Sequence, residues 1–172
     1  MAILPIRTFG DPVLRQRAGE VREVDAAVRK LMHDLSDTVI AAPGVGLAAP
    51  QLGVPRRVIV WTYEGSKGAL ANPRVVEQHG KDVADEACLS LPGLSYPVSR
   101  ALKIVVEGLN DRGDLVSIAL QDWTARILQH EIDHLDGVLF IDHLDPDLRR
   151  EARRKLREQA LRGVPLEPVA VL

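Results

Sequence analysis

Between residues 25 and 40 the apolar side chains Val28, Leu31, Met32, Leu35 and Val39 return to one face of a 3.6-residue helix. Asp25 stands where an N-cap belongs and Pro43-Gly44 closes the run, so the pattern predicts an amphipathic helix. The period then changes. Residues 56–62 (RRVIVWT), 102–109 (LKIVVEGL) and 115–120 are short and rich in β-branched residues, which predicts strands. The turn cluster Asn110-Asp111-Arg112-Gly113-Asp114 should join the last two as an antiparallel hairpin. Helical spacing resumes with Asp122 as the expected N-cap, a helix from Trp123 to Asp136, and Gly137 as its left-handed stop. A third helix is expected from Asp145 as N-cap and Pro146 as first helical residue, through the charged run LRREARRKLREQALR to Gly163. Its charges read as a solvated face, and residues 164–172 read as a surface tail.

Strands that cluster in mid-chain, with helices on either side, argue for the α+β class more than for a doubly wound parallel sheet. No repeat or long linker interrupts the chain, so residues 1–163 are expected to form a single domain. The composition narrows the class further. With 46% hydrophobic and 27% charged residues the 172-residue chain has the balance of a globular protein in water. A formal charge of -2 leaves no basic footprint for nucleic acid. The first residues, MAILPIRTFGDP, hold neither a long apolar run nor an Arg-rich targeting pattern, so no membrane span and a cytoplasmic location are expected. Nothing marks an obligate interface, so a monomer is expected.

The chemistry lies in the second predicted helix, at His130-Glu131-Ile132-Asp133-His134, an H-E-x-x-H pattern. Histidines four apart lie about 40° from each other around a helix, one turn up, so both imidazoles reach a single ion. Glu131, offset by about 100° from His130, is placed beside that ion to handle protons. Catalytic sites ordinarily take three protein ligands and leave a position for water, so a third is needed. Downstream candidates are His143, Asp142, Asp145 and Asp147. A better one lies upstream, the chain's single cysteine, Cys88, in the segment EACLSLPG, whose Pro and Gly favour a loop near a strand end. One thiolate with two imidazoles suits zinc, iron, cobalt or nickel. The run GVGLAAPQLG at 44–53 offers small residues for close backbone approach and one amide, Gln51, but has neither the lysine of a P-loop nor a strand before it.

In this order GVGLAAPQ at 44–51, EACLS at 86–90 and QHEIDH at 129–134 resemble the motifs of peptide deformylases, and FGDPVL at 9–14 is similar as well. The resemblance runs to about Leu144. It implies sheets, mixed or antiparallel, packed around a central helix that carries the H-E-x-x-H pattern, with helices at the N- and C-terminal sides. It implies a metal held by Cys88, His130 and His134, ferrous iron by family habit, with Zn2+, Ni2+ or Co2+ as substitutes. Glu131 becomes the general base that takes a proton from water and returns it to the departing amine. Donors to the formyl oxygen become the Gln51 amide and the Leu89 backbone N–H, so that Gln51→Leu should cripple catalysis and not folding. Val45, Leu89 and Ile127 become walls for the methionine side chain. The peptide is expected to lie as an extended strand along Val45 and Gly46. Glu86 and Arg100 are expected to pair and hold the Cys88 segment. The substrates would be N-formylmethionyl nascent polypeptides, met during transient ribosome association. Ala87 departs from the family, which has glycine there, and is expected to narrow the groove.

Two other functions share these residues. A zinc endopeptidase would use His130, His134 and a downstream ligand such as His143, and would be indifferent to Cys88. A catalytically silent module would bind N-terminal peptides without turning them over.

Overall fold

The computed structural model describes residues 3–162. The first helix, α1 (Ala26–Ala41), begins where the sequence places it, with the Asp25 side chain accepting from the Val28 N–H at 2.8 Å. Strand β1 (Gly46–Ala48) and a 3-10 turn over Ala49–Leu52 follow, then β2 (Val58–Tyr63), two residues later than expected. Next come β3 (Ser66–His79), β4 (Asp82–Cys88), β5 (Leu91–Arg100), β6 (Lys103–Leu109), β7 (Leu115–Gln121), α2 (Asp122–Leu135) and α3 (Pro146–Arg162). Five strands form a sheet in the order β1-β2-β3-β6-β7, and β4-β5 form a separate two-stranded sheet. All of these pairings are antiparallel.

The expected hairpin is present as β6-β7, closed at Leu109–Leu115, with Asn110 Oδ1 accepting from the N–H groups of Arg112 and Asp114. α3 is capped as expected, Asp145 Oδ1 accepting from the Asp147 and Leu148 N–H groups. Gly163, its expected end, and the tail at 164–172 lie outside the described residues. Two boundaries of α2 differ. Gln121 is the N-cap, while Asp122 has left-handed torsions (φ 55°) and donates its N–H to Leu102 O. The helix leaves the β6-β7 sheet directly, so the chain reverses at Asp122 and the carboxylate makes no cap. At the other end Asp136 is the C-cap and Gly137, at φ 73°, stops the helix as expected.

Alternation along β2 explains the layers. Val58 and Val60 join Val28, Met32, Leu35 and Val39 of α1, while Ile59 and Trp61 join Ile127, Leu128, Ile132 and Leu135 of α2. A third cluster holds the β4-β5 hairpin: Cys88, Leu91, Leu94, Tyr96 and Val98 pack with Phe140 and with Ala152 and Leu156 of α3. The segment after Cys88 is not a loop. Pro92 and Gly93 lie inside β5, and Pro97 faces Asp85. A strand that pairs on one side only tolerates a proline whose missing N–H would point away from its partner.

Candidate active site

Two elements bring the donors together. His130 and His134 sit one turn apart on α2, with ring centroids 5.0 Å apart. Cys88 ends β4, where the register slips between Ala87 and Cys88, and such an irregularity re-aims the side chain at a strand end. Ligand atoms of Cys88, His130 and His134 all lie within 4.8 Å of one another, and all three residues are buried. Cys88 Sγ is 3.3 Å from His134 Nε2 although 46 positions separate the residues in the chain. It also accepts from the Ser90 N–H at 3.4 Å and from Gln51 Nε2 at 3.7 Å.

One imidazole is oriented from behind, whereas His134 Nδ1 is buried and meets no hydrogen-bond partner among the described residues. His130 Nδ1 lies 2.9 Å from Glu86 Oε2, and because an ionised carboxylate only accepts, Nδ1 donates there and Nε2 is left as the nitrogen that could ligate. Glu86 is fully buried and held from Arg100, whose Nε and Nη2 donate at 2.8 and 2.9 Å. Burial alone would raise the Glu86 carboxyl, but the hydrogen bonds from Arg100 and His130 outweigh it and hold it well below the usual carboxylate range. The expected Glu86–Arg100 pair is therefore present. Arg100 also reaches Asp133 Oδ2 at 2.5 Å, which in turn takes His143 Nε2 at 2.7 Å. His143 is thereby engaged outside the donor cluster. The other downstream candidates are likewise occupied: Asp142 pairs with Arg15 and takes the Leu139 N–H, Asp145 caps α3, and Asp147 pairs with Arg150 at the surface.

Glu131 is buried, and its Oε2 meets no hydrogen-bond partner among the described residues. Burial pushes its carboxyl up to about 7, against the pull of His130. Burial also holds His134 well below the ordinary imidazole value, and the charge of His130 adds to it. Gly46 lies against the Glu131 carboxylate so closely that a Cβ there would stand 2.5 Å from Oε1. Gln51 is buried with Oε1 accepting from the Ala48 N–H at 2.8 Å, which leaves Nε2 to face Ser90 Oγ at 3.2 Å and the cysteine sulfur. Leu89 forms the turn between β4 and β5, and its side chain reaches Gly44. Val45 is half-buried beside the α2 cluster, and Ile127 is buried within it. Ala87 pairs with Ser95 in ordinary extended backbone, so the side chain is accommodated without strain. Three residues escaped the sequence reading: Arg126, Asp133 and Ser90. Arg126 and Asp133 flank His130 at four and three positions, the helical spacing that marks one face, and this signal was available.

Cavities lie elsewhere, among them one of about 570 Å³ between α1 and the sheet beside Met32, Trp61 and Leu70 and one of about 550 Å³ behind α2 beside Lys81, Asp133 and His143. Neither is lined by Cys88, His130 or His134, and the chemistry of the donor set outweighs cavity size as a guide to the site.

A family model described as polypeptide deformylase matches residues 3–150. A peptide deformylase of Acidothermus cellulolyticus is 52% identical over 163 residues, covering 95% of this chain and 91% of that protein. The crystal structure of a peptide deformylase from Legionella pneumophila superposes with a TM-score of 0.88 at 40% identity, covering 95% of this chain and 99% of that one. The enzyme from Thermus thermophilus gives 0.87 at 40% identity, over 93% and 96% of the two chains. With the motifs, the antiparallel architecture and the sulfur-imidazole cluster all in agreement, the chain belongs to the peptide deformylases, metal-dependent hydrolases that remove the formyl group from N-terminal methionine.

Proposed function

We propose that Cys88, His130 and His134 hold the metal of this deformylase, with Glu131, Gln51 and the Leu89 backbone N–H acting on the formyl group. The convergence of one thiol and two imidazoles from separate elements carries this reading. The donor set fits: three buried donors of the right softness, one imidazole oriented by a carboxylate, and beside them a buried carboxylate oxygen without a partner among the described residues. A divalent ion held by these three residues would lower the pKa of bound water to about 7 and would polarise a carbonyl.

The protein's groups then divide the remaining work. Glu131 takes a proton from the attacking water, whose oxygen adds to the formyl carbon. Gln51 Nε2 and the Leu89 N–H donate to the formyl oxygen as charge collects on it. The C–N bond breaks, Glu131 hands its proton to the amine nitrogen, and formate leaves with a free N-terminus behind it. A carboxyl pushed up to about 7 by burial suits both halves of that transfer near neutral pH.

β1 is the edge strand of the five-stranded sheet, so the backbone at Val45 and Gly46 is available to pair with an extended peptide. Val45, Leu89 and Ile127 are proposed to receive the methionine side chain. Residues 1–163 act as one catalytic domain and a monomer in the cytoplasm, on nascent chains met by transient association with the ribosome. No helix among the described residues is long and apolar enough to cross a membrane. Ferrous iron is proposed as the native ion on the family resemblance, and metal analysis after anaerobic purification tests it. The functional test is formate release from a formyl-Met peptide: Cys88→Ser and Glu131→Gln should each abolish it. Unchanged turnover in either variant would refute the assignment.

A further inference from the structure

The ligands come from two bodies that share no apolar cluster. Cys88 packs with the β4-β5 hairpin and α3, whereas the apolar face of α2 packs against the five-stranded sheet. Apolar burial is non-directional, so it holds each body together, and the stacking of His130 on Phe140 of the hairpin cluster, centroids 6.2 Å apart, does not by itself fix how one is set against the other. Polar side chains span the gap, and Arg126 makes more of these contacts than any other. It lies one turn before His130 on α2 and its side chain is 2% exposed. Nη1 donates to Val98 O at 2.8 Å, to Glu86 Oε1 at 2.9 Å and to Ala84 O at 3.5 Å. Nη2 donates to Asp82 O at 3.0 Å and to Asp82 Oδ2 at 3.1 Å. One guanidinium thus grips both strands of the hairpin and also the carboxylate that orients His130.

We propose that Arg126 is a positioning residue that sets the cysteine sulfur of the hairpin against the two imidazoles of α2, and thereby sets the affinity of the site for its ion. The inference rests on the metal reading given above. A planar fork with five N–H donors can reach five acceptor atoms on two strands at once, which the point charge of a lysine cannot. Arg100 does not duplicate it, because Arg100 lies on β5 itself and reaches α2 only through Asp133 and, by way of Glu86, His130. A purely structural arginine would lower the stability of the metal-free protein and leave ion affinity alone once the protein is folded.

The test loads Co2+ into the metal-free full-length chain and its Arg126→Met, Arg126→Lys and Cys88→Ser variants. It reads the dissociation constant by chelator competition and the sulfur-to-cobalt charge-transfer absorption. Arg126→Met should bind cobalt about 10- to 100-fold more weakly, with a diminished or shifted sulfur band, while its circular dichroism stays that of a folded protein. Arg126→Lys should fall between, and it carries the measurement alone if the Met variant does not fold. Folded variants with wild-type affinity and an unchanged band would overturn the proposal. Failure of the wild-type chain to bind cobalt, or unchanged binding by Cys88→Ser, would instead overturn the metal reading itself.

Discussion

Gly46 offers the sharpest test of where Glu131 must point. An alanine there would place its Cβ 2.5 Å from Glu131 Oε1 and 2.9 Å from both Cδ and Cγ. Restoring ordinary contact requires the carboxylate to retreat by about 0.9 Å or more, given usual carbon–oxygen separations. The obstacle is the far end of a flexible side chain, and Gly46 does not have the left-handed torsions that alanine would resist. Folding should therefore survive while the aim of the carboxylate is lost.

Misplacing a reacting group by about 1 Å costs on the order of 100-fold in rate, so Gly46→Ala should lower kcat by about 10- to 100-fold. The assay is formate release at saturating formyl-Met peptide, with metal content and melting temperature measured on the same sample. Saturation matters because a methyl group on the β1 edge would also raise KM if the peptide pairs there. A kcat within twofold of wild type, in a variant with full metal, would refute the placement of Glu131 as the proton carrier.

Gln51→Leu should reduce turnover by about 100- to 1,000-fold if the amide stabilises the formyl oxygen. It should also destabilise the fold by about 1–3 kcal/mol, because the Ala48 N–H loses its acceptor, so the sequence-based expectation of an effect on catalysis alone needs amending; denaturation and formate assays on one preparation separate the two effects. Glu131→Gln should stabilise the metal-free protein, and only at higher pH. Burial raises this carboxyl from 4.5 to about 7, so the folded state holds its proton more tightly than the unfolded one. The penalty is absent below pH 4.5, grows through the window and reaches about 3 kcal/mol above pH 7. Urea denaturation at pH 4 and pH 8 should show the variant's advantage at pH 8 alone, and an equal difference at both would exclude the burial penalty.

The helices were legible because their signals are local. Asp25 and Asp145 cap as read, Gly137 stops α2, and the paired histidines follow from helical spacing alone. The β4-β5 hairpin was hidden by its own chemistry. β4 reads DVADEAC, and Glu86 looks like a surface acid until two arginines and a histidine from elsewhere surround it. In β5 the buried positions Leu94, Tyr96, Val98 and Arg100 keep a period of two, but Pro92, Gly93 and Pro97 disguise it. Strand β3 was missed for another reason: its last residues are mostly exposed and its pairing with β6 is irregular at two places, so no face carries a clean pattern. The Glu86–Arg100 pair was expected from the family resemblance, but that Arg126 and Asp133 join it could not be read, since that depends on tertiary contact.

Charge accounting around the buried site points to the ion. Arg100 and Arg126 meet Glu86 and Asp133, with the half-exposed Asp82 as a further acid on Arg126, so both arginines are already matched by other carboxylates. Outside that balance stand the Cys88 sulfur and the Glu131 carboxylate, both buried and neither paired with an arginine or lysine among the described residues. Two ionised groups in that position repel each other and lose hydration, so a divalent cation is the partner that allows both to be charged at once. Without the ion, protons must take its place, because a thiol ligates only after losing its own. Metal affinity should therefore climb steeply with pH, and ion binding should release protons into a weakly buffered solution. Chelator competition at pH 6 and pH 8, with proton release followed by an indicator dye, measures both; an affinity that ignores pH would mean that Cys88 is not among the ligands.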